Sequence, residues 1–109
     1  MLKQSDYVKI IVAVPIEHAQ AVRDVLGNSG AGVQGNYKHC SGSYRSVGRF
    51  IPVVGAKPAI GQIGKAEEVE EEIIETICHV DLVEKVVKAV KEAHPYEEAP
   101  IDIIRRFEV

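Results

Sequence analysis

The sequence has 109 residues, 46% of them hydrophobic and 27% charged, which suits a single domain that builds a core without disulfide or metal staples. A net charge of -3 and a pI near 5.8, with no basic run longer than Arg105-Arg106, leave no positive surface to displace counterions from phosphates, so no nucleic-acid partner is expected. No apolar run approaches a membrane span and the stretch from Met1 to Asp6 lacks the apolar region of a signal peptide, so no membrane partner and a cytoplasmic location are expected.

The stretch from Tyr7 to Val14 is rich in β-branched residues and ends at Pro15, with apolar residues on both faces near its end; this predicts a central strand. From Glu17 the period changes. Ala21, Val22, Val25 and Leu26 recur at helical spacing up to Gly27-Asn28-Ser29-Gly30, which predicts an amphipathic helix with a glycine-rich end. Residues Gly30 to Gly64 hold eight of the nine glycines, with Pro52 and Pro58 among them. Such a stretch cannot be one long helix, and short strands such as Val33–Tyr37 and Val47–Val54 joined by tight turns are expected. Turn chemistry accounts for these glycines as well as ligand approach does. No P-loop is present: in the superficial echo Gly61-Gln62-Ile63-Gly64-Lys65, the next residue is Ala66, which has no hydroxyl for magnesium.

Ala66 to Val80 carries two periods at once. Val69, Ile73 and Ile77 recur every four residues, whereas Ile73-Ile74-Glu75-Thr76-Ile77-Cys78 is a β-branched run; the strand is the expectation. Glu67, Glu68, Glu70, Glu71 and Glu72 read as a solvated acidic edge or the mouth of a cation site. Asp81-Leu82-Val83-Glu84 has the form of a capping box. Val83, Val86, Val87 and Val90 then follow at helical spacing, with Lys85, Lys88 and Lys91 toward the end where cations suit the helix dipole.

This second helix must stop near Ala93, because His94-Pro95-Tyr96-Glu97-Glu98-Ala99-Pro100 cannot continue it: each proline lacks a donor and pushes its predecessor toward extended geometry. A rigid elbow carrying an imidazole, a phenol and two carboxylates is expected there. Ile101 to Phe107 alternates loosely and reads as the last strand. The order strand, helix, strand, strand, helix, strand is that of an α+β ferredoxin-like βαββαβ sandwich, an antiparallel sheet with both helices on one face. The other face is left bare, which invites self-association. Cys40 and Cys78 form one bridge at most, and their spacing suggests free thiols.

Five ordered blocks carry a resemblance over almost the whole chain. Gly35-Asn36-Tyr37-x-x-Cys40-Ser41, Gly48-x-Phe50-x-Pro52, Gly55-Ala56-x-Pro58-x-Ile60-Gly61-x-x-Gly64, Glu70-Glu71-x-Ile73-Ile74-Glu75-Thr76, and His94-Pro95-Tyr96-Glu97-Glu98 with Asp102-Ile103 resemble the PII-like/CutA-like insert domain of the YqfO-type, Nif-three-like proteins. The resemblance implies a PII/CutA-like domain, commonly a trimer in the related PII and CutA families. The parent proteins build a dinuclear metal site from domains flanking the insert. Those domains are missing from this sequence, so a stand-alone module without that activity is expected.

Two sets of candidate residues follow. His94, Glu97 and Glu98, with His39, offer imidazole nitrogen and carboxylate oxygen to a divalent metal ion; the structural alternative has His94 and Tyr96 capping the helix and the glutamates pairing with Arg or Lys. Asn36, Tyr37, Cys40 and Ser41, with Tyr96, are the candidate ligand-binding set. No catalytic residue is assigned, since nucleophilic catalysis by Cys40 needs a base within reach and adjacent side chains on a strand, such as His39, point to opposite faces. His18 is expected on the surface, and Cys78 and His79 in the core or at a strand end. The leading expectation is an oligomeric sensory or regulatory module, binding a small molecule or divalent metal between subunits and signalling to a protein partner. The alternatives are a metal-assisted or Cys40-dependent hydrolase and a purely structural trimerisation module.

Overall fold

The computed structural model describes all 109 residues. β1 (Gln4–Pro15), α1 (Ala19–Ser29), β2 (Gly42–Phe50), β3 (Glu67–His79), α2 (Val83–Ala93) and β4 (Ile101–Phe107) follow one another in the chain. The sheet order is β2-β3-β1-β4 and every neighbouring pair is antiparallel. This is the ferredoxin-like α+β sandwich expected from the order of elements. No helix is long and apolar enough to cross a membrane.

The central ladder pairs β1 with β3 from Tyr7↔His79 to Pro15↔Glu71. Because side chains alternate along a strand, the pairs Val8↔Cys78, Ile10↔Thr76 and Val12↔Ile74 share one face. On that face Ile10, Val12, Val14, Ile74 and Cys78 meet Ala19, Val22 and Leu26 of α1 and Val86 and Val90 of α2 in a single core. Both helices therefore cover the same side of the sheet. The opposite side has no second layer, and only 17 of the 109 residues are buried.

The local details refine some expectations and correct others. Within the expected glycine-rich end, α1 runs on through Gly27 to Ser29 and stops at Gly30, whose φ of 118° forms the left-handed cap. Gly27 is small for another reason, since the His39 ring occupies the place of a Cβ there. The strand expected over Val33–Tyr37 is a tight turn, with Gln34 and Tyr37 bridged across Gly35; the strand expected over Val47–Val54 is Gly42–Phe50. The hydrophobic run Ile51–Val54 is instead largely exposed loop, with Val54 at 92% exposure and only Pro52 buried. Finally, Asp81 caps nothing. The chain leaves β3 through a turn of 3-10 helix over Val80–Leu82, where the His79 Nδ1 accepts the Asp81 backbone N–H at 3.1 Å, and α2 begins without a side-chain cap.

The acidic run is also less solvated than expected. Glu68 lies opposite Arg49 with 3.6 Å between charged atoms, Glu72 receives Arg23 from α1, and Glu75 takes the Lys9 ammonium at 2.8 Å. Lys9 holds the Glu75 carboxyl below its usual range, chiefly by this hydrogen bond.

Ile74 sits fully buried where β3 meets both helices. Ile74→Ala is expected to lower the unfolding free energy by about 3 kcal/mol, and Val54→Ala by less than about 0.5 kcal/mol, in guanidinium titrations. Equal losses at the two positions would contradict this placement of the core.

Candidate functional site

The elbow is built from a histidine outward. α2 ends because Pro95 cannot donate a helical hydrogen bond, and His94 takes an extended conformation (φ -78°, ψ 135°) as its C-cap. The side chain turns inward and is 6% exposed. Its Nε2 lies 2.7 Å from the Ala13 carbonyl oxygen on β1, and its Nδ1 lies 3.0 Å from the Tyr96 backbone nitrogen. A carbonyl can only accept and an amide N–H can only donate, so the ring carries its proton on Nε2 and accepts at Nδ1. The imidazole is thus neutral. Burial lowers its pKa, against the opposing pull of the Ala13 carbonyl and the Glu71 charge.

That bond to its own backbone fixes Tyr96. Its ring lies 4.9 Å from His94 and edge-on to Phe50 of β2 at 6.1 Å, and its hydroxyl donates to Glu71 Oε2 at 2.7 Å. Burial first, then the neighbouring carboxylate, raise the phenol pKa, so Tyr96 remains a donor across the ordinary pH range. Glu71 is 5% exposed and comes from the middle of the acidic run on β3. Room for it is made by Gly48 on β2, where a Cβ would fall inside the Glu71 carboxylate. The loop between β2 and β3 folds back over this region, and the Lys57 backbone N–H donates to Glu97 Oε1 at 3.1 Å. Together these groups enclose a cleft of about 300 Å³, with Phe50, Pro52, Pro58 and Ile60 as walls and Glu71, Tyr96, Glu97 and Glu98 supplying the polar groups.

The candidate residues fall into separate places. Tyr96, Glu97 and Glu98 share the elbow cleft, and His94 stands behind it as a support. His39, Cys40 and Ser41 line a smaller hollow of about 230 Å³ against α1, in the connection from α1 to β2. Asn36 and Tyr37 lie exposed on the turn beyond it, in neither hollow. No group of three or more His, Cys, Asp or Glu side chains within the chain is arranged to hold a metal ion. His39 is not on a strand: it has a φ of 57°. The Cys40 backbone N–H donates to the Gly32 carbonyl, and its carbonyl accepts the Thr76 hydroxyl at 2.6 Å. Both cysteines are free thiols, and burial pushes the Cys78 thiol up. His18 is exposed. Glu71, Gly48 and Phe50 were absent from the candidate set. Their one signal in the sequence is membership of the ordered blocks Gly48-x-Phe50 and Glu70-Glu71, which the structure places on adjacent strands.

No protein-family model matches the sequence. A Bacillus subtilis protein named GTP cyclohydrolase 1 type 2 homolog is 44% identical over 95 residues, which are 87% of this chain and 26% of that protein. Among solved structures, a Bacillus cereus protein related to NIF3 superimposes with a TM-score of 0.80 at 42% identity, covering 97% of this chain and 26% of the other. The periplasmic divalent cation tolerance protein CutA from Archaeoglobus fulgidus superimposes at 0.65 with 19% identity, covering 90% and 81%. The chain therefore spans about a quarter of the length of the curated relatives it matches. Its fold is CutA/PII-like, and its sequence is similar to the PII/CutA-like insert segment of the YqfO-type, Nif-three-like proteins, as the motifs imply.

The neutral His94 makes stability depend on pH with a definite sign. Its native pKa lies below its ordinary value of 6.5, so its contribution is complete above that value and is lost as the pH falls through the native one. Thermal unfolding is expected to show a drop in stability from about pH 7.5 to about pH 5, and His94→Gln, which donates and accepts but does not titrate, is expected to flatten it. An identical pH slope in the variant would remove His94 as the cause.

Proposed function

We propose that the protein is a PII/CutA-like homo-oligomeric module, a trimer, that binds a small molecule in the elbow cleft and serves a sensory or regulatory role through a protein partner. The observation that carries this reading is the bare face of the sheet. Ile11, Ile73 and Ile77 of the two central strands lie on it, with Tyr44 of β2 opposite Ile73 and Ile104 of β4 opposite Lys9. Tyr44 is 56% exposed and Ile104 46%. Apolar area of this kind gains about 25 cal/mol per Å² when removed from water, and a second copy of the same face is the partner of matching chemistry. The Lys9–Glu75 pair in the midst of it would then fix the register of association, since a misaligned partner leaves charges buried and unpaired.

The cleft supports binding rather than turnover. Tyr96 is held by the His94 bridge and by Glu71, the walls are apolar, and no cysteine, serine or threonine nucleophile lines the cleft. Cys40 lies in the separate hollow, away from the elbow carboxylates. A divalent ion at His94 would first have to displace the Ala13 carbonyl or the Tyr96 amide from the ring.

Sedimentation velocity at micromolar concentration is expected to give three times the 11.9 kDa chain mass. Ile11→Glu, which sets a further charge in the middle of the bare face, is expected to yield folded monomers of unchanged helical signal. A wild-type monomer at these concentrations would overturn the oligomer. For the alternatives, loss of a detected hydrolysis on Cys40→Ala would favour an enzyme. A chain whose melting temperature no metal ion or small molecule shifts would favour a purely structural trimerisation module.

A further inference from the structure

We propose that the elbow cleft takes a small organic cation, an amine or amidinium with a short apolar body, which places its charge against the free oxygen of Glu71. The inference rests on the reading of the elbow as a binding cleft, and not on the oligomeric state.

Glu71 is the unusual group. A carboxylate 5% exposed is expected to have a cationic partner or several donors, because burying an ionised group without them is costly. Glu71 has one partner, the Tyr96 hydroxyl on Oε2. No lysine, arginine or histidine lies within ion-pair distance of it, although its neighbours Glu68, Glu72 and Glu75 on the same strand each have one. His94, the nearest imidazole, spends both ring nitrogens on the backbone. Oε1 has no donor, yet no polar side-chain atom of the chain is both sealed from solvent and unpartnered. The free oxygen therefore keeps some solvent-accessible surface, beside Gly48 on the cleft that both residues line.

The surroundings define the ligand's other properties. Glu97 and Glu98 stand at the cleft with Glu71, and the one cationic side chain among the lining residues is Arg49, which is 68% exposed and turned to Glu68. Phosphate and carboxylate ligands would be repelled by this charge. Phe50, Pro52, Pro58 and Ile60 offer apolar walls to a hydrocarbon body, and the Phe50 and Tyr96 rings favour a cation near their faces. A volume of about 300 Å³ lies at the small end of ligand pockets. The cleft thus fits a compact monocation.

Isothermal titration of the full chain at about pH 7.5 with phenethylamine and benzamidine, beside neutral 2-phenylethanol and anionic phenylacetate, tests this. Both cations are expected to bind, and the neutral and anionic probes to bind about tenfold or more weakly, the worth of one hydrogen bond to a charged group. Glu71→Gln keeps the side-chain volume and an acceptor for Tyr96, and is expected to bring phenethylamine down to the affinity of 2-phenylethanol. Equal affinity of charged and neutral probes for the wild type, no heat from either cation at millimolar concentration, or a folded Glu71→Gln that binds the amine unchanged would each overturn the proposal. If circular dichroism shows that variant unfolded, the wild-type probe series decides alone. Sedimentation of the same samples separates the two readings: a monomer that binds amines removes the trimer alone, and a trimer that binds neither cation removes the cation site alone.

Discussion

The register of the β1–β3 ladder determines nearly everything else in the molecule. Pairing Ile10 with Thr76 and Val12 with Ile74 sends one set of side chains to the helices, and the same register sends Lys9, Ile11 and Ala13, with Ile77, Glu75 and Ile73, to the bare face. A slip of one residue would exchange the two sets. It would set Lys9 and Glu75 into the core and leave Ile10, Val12 and Ile74 without cover. The ladder ends at Pro15↔Glu71, so the register that makes the core also delivers a carboxylate to the end of the sheet where the elbow returns from α2. Core and cleft are consequences of one alignment.

The elbow is fixed to this ladder by a histidine that works because it is uncharged. A protonated ring would turn an N–H toward the Tyr96 amide, which has only an N–H to offer, and would charge a residue that is almost wholly buried. The prolines on either side of Tyr96 remove backbone freedom, and the His94 bridge then sets the direction in which the ring leaves the chain. Tyr96 reaches Glu71 as a result, through a phenol that desolvation keeps protonated. The motif His94-Pro95-Tyr96-Glu97-Glu98 is therefore divided in its work: its first residue holds the backbone, and its later ones face the cleft.

Where one physical signal dominated, the sequence was legible. β1 and β4 follow from β-branched runs, the end of α2 from Pro95, and the strand character of Glu67–His79 from Ile73, Ile74 and Ile77, despite the competing period of four. β2 was displaced because Gly42–Phe50 is an edge strand with glycine at two positions and arginines facing glutamates across the ladder, whereas the nearby Ile51–Val54 run has more strand-like composition but spends it in a loop. The Asp81 cap failed because His79, two residues earlier, reaches the Asp81 amide first and the chain enters α2 through a 3-10 turn. Glu71 was hidden in its own neighbourhood. Five similar glutamates read as one solvated edge, and only the space left by Gly48 and the reach of Tyr96 distinguish the one that is buried.

That hidden glutamate also alters how the elbow is understood. The His94 contacts that hold the elbow's own backbone are neutral, and the Glu71 carboxylate accepts from no backbone group, so it is not required to hold the backbone together. A hydrophobic residue at position 71 would pack against Phe50 and Tyr96 and would avoid the desolvation of a charge, which buried ionised groups incur even when paired. Gly48 adds to that cost, because glycine within a strand gives up side-chain packing and backbone entropy to make the space. Stability alone would favour filling both positions with apolar atoms. That two neighbouring strand positions are given to one carboxylate beside an apolar cleft is a cost that a purely structural elbow leaves unexplained, and it is the physical ground on which a binding role is proposed.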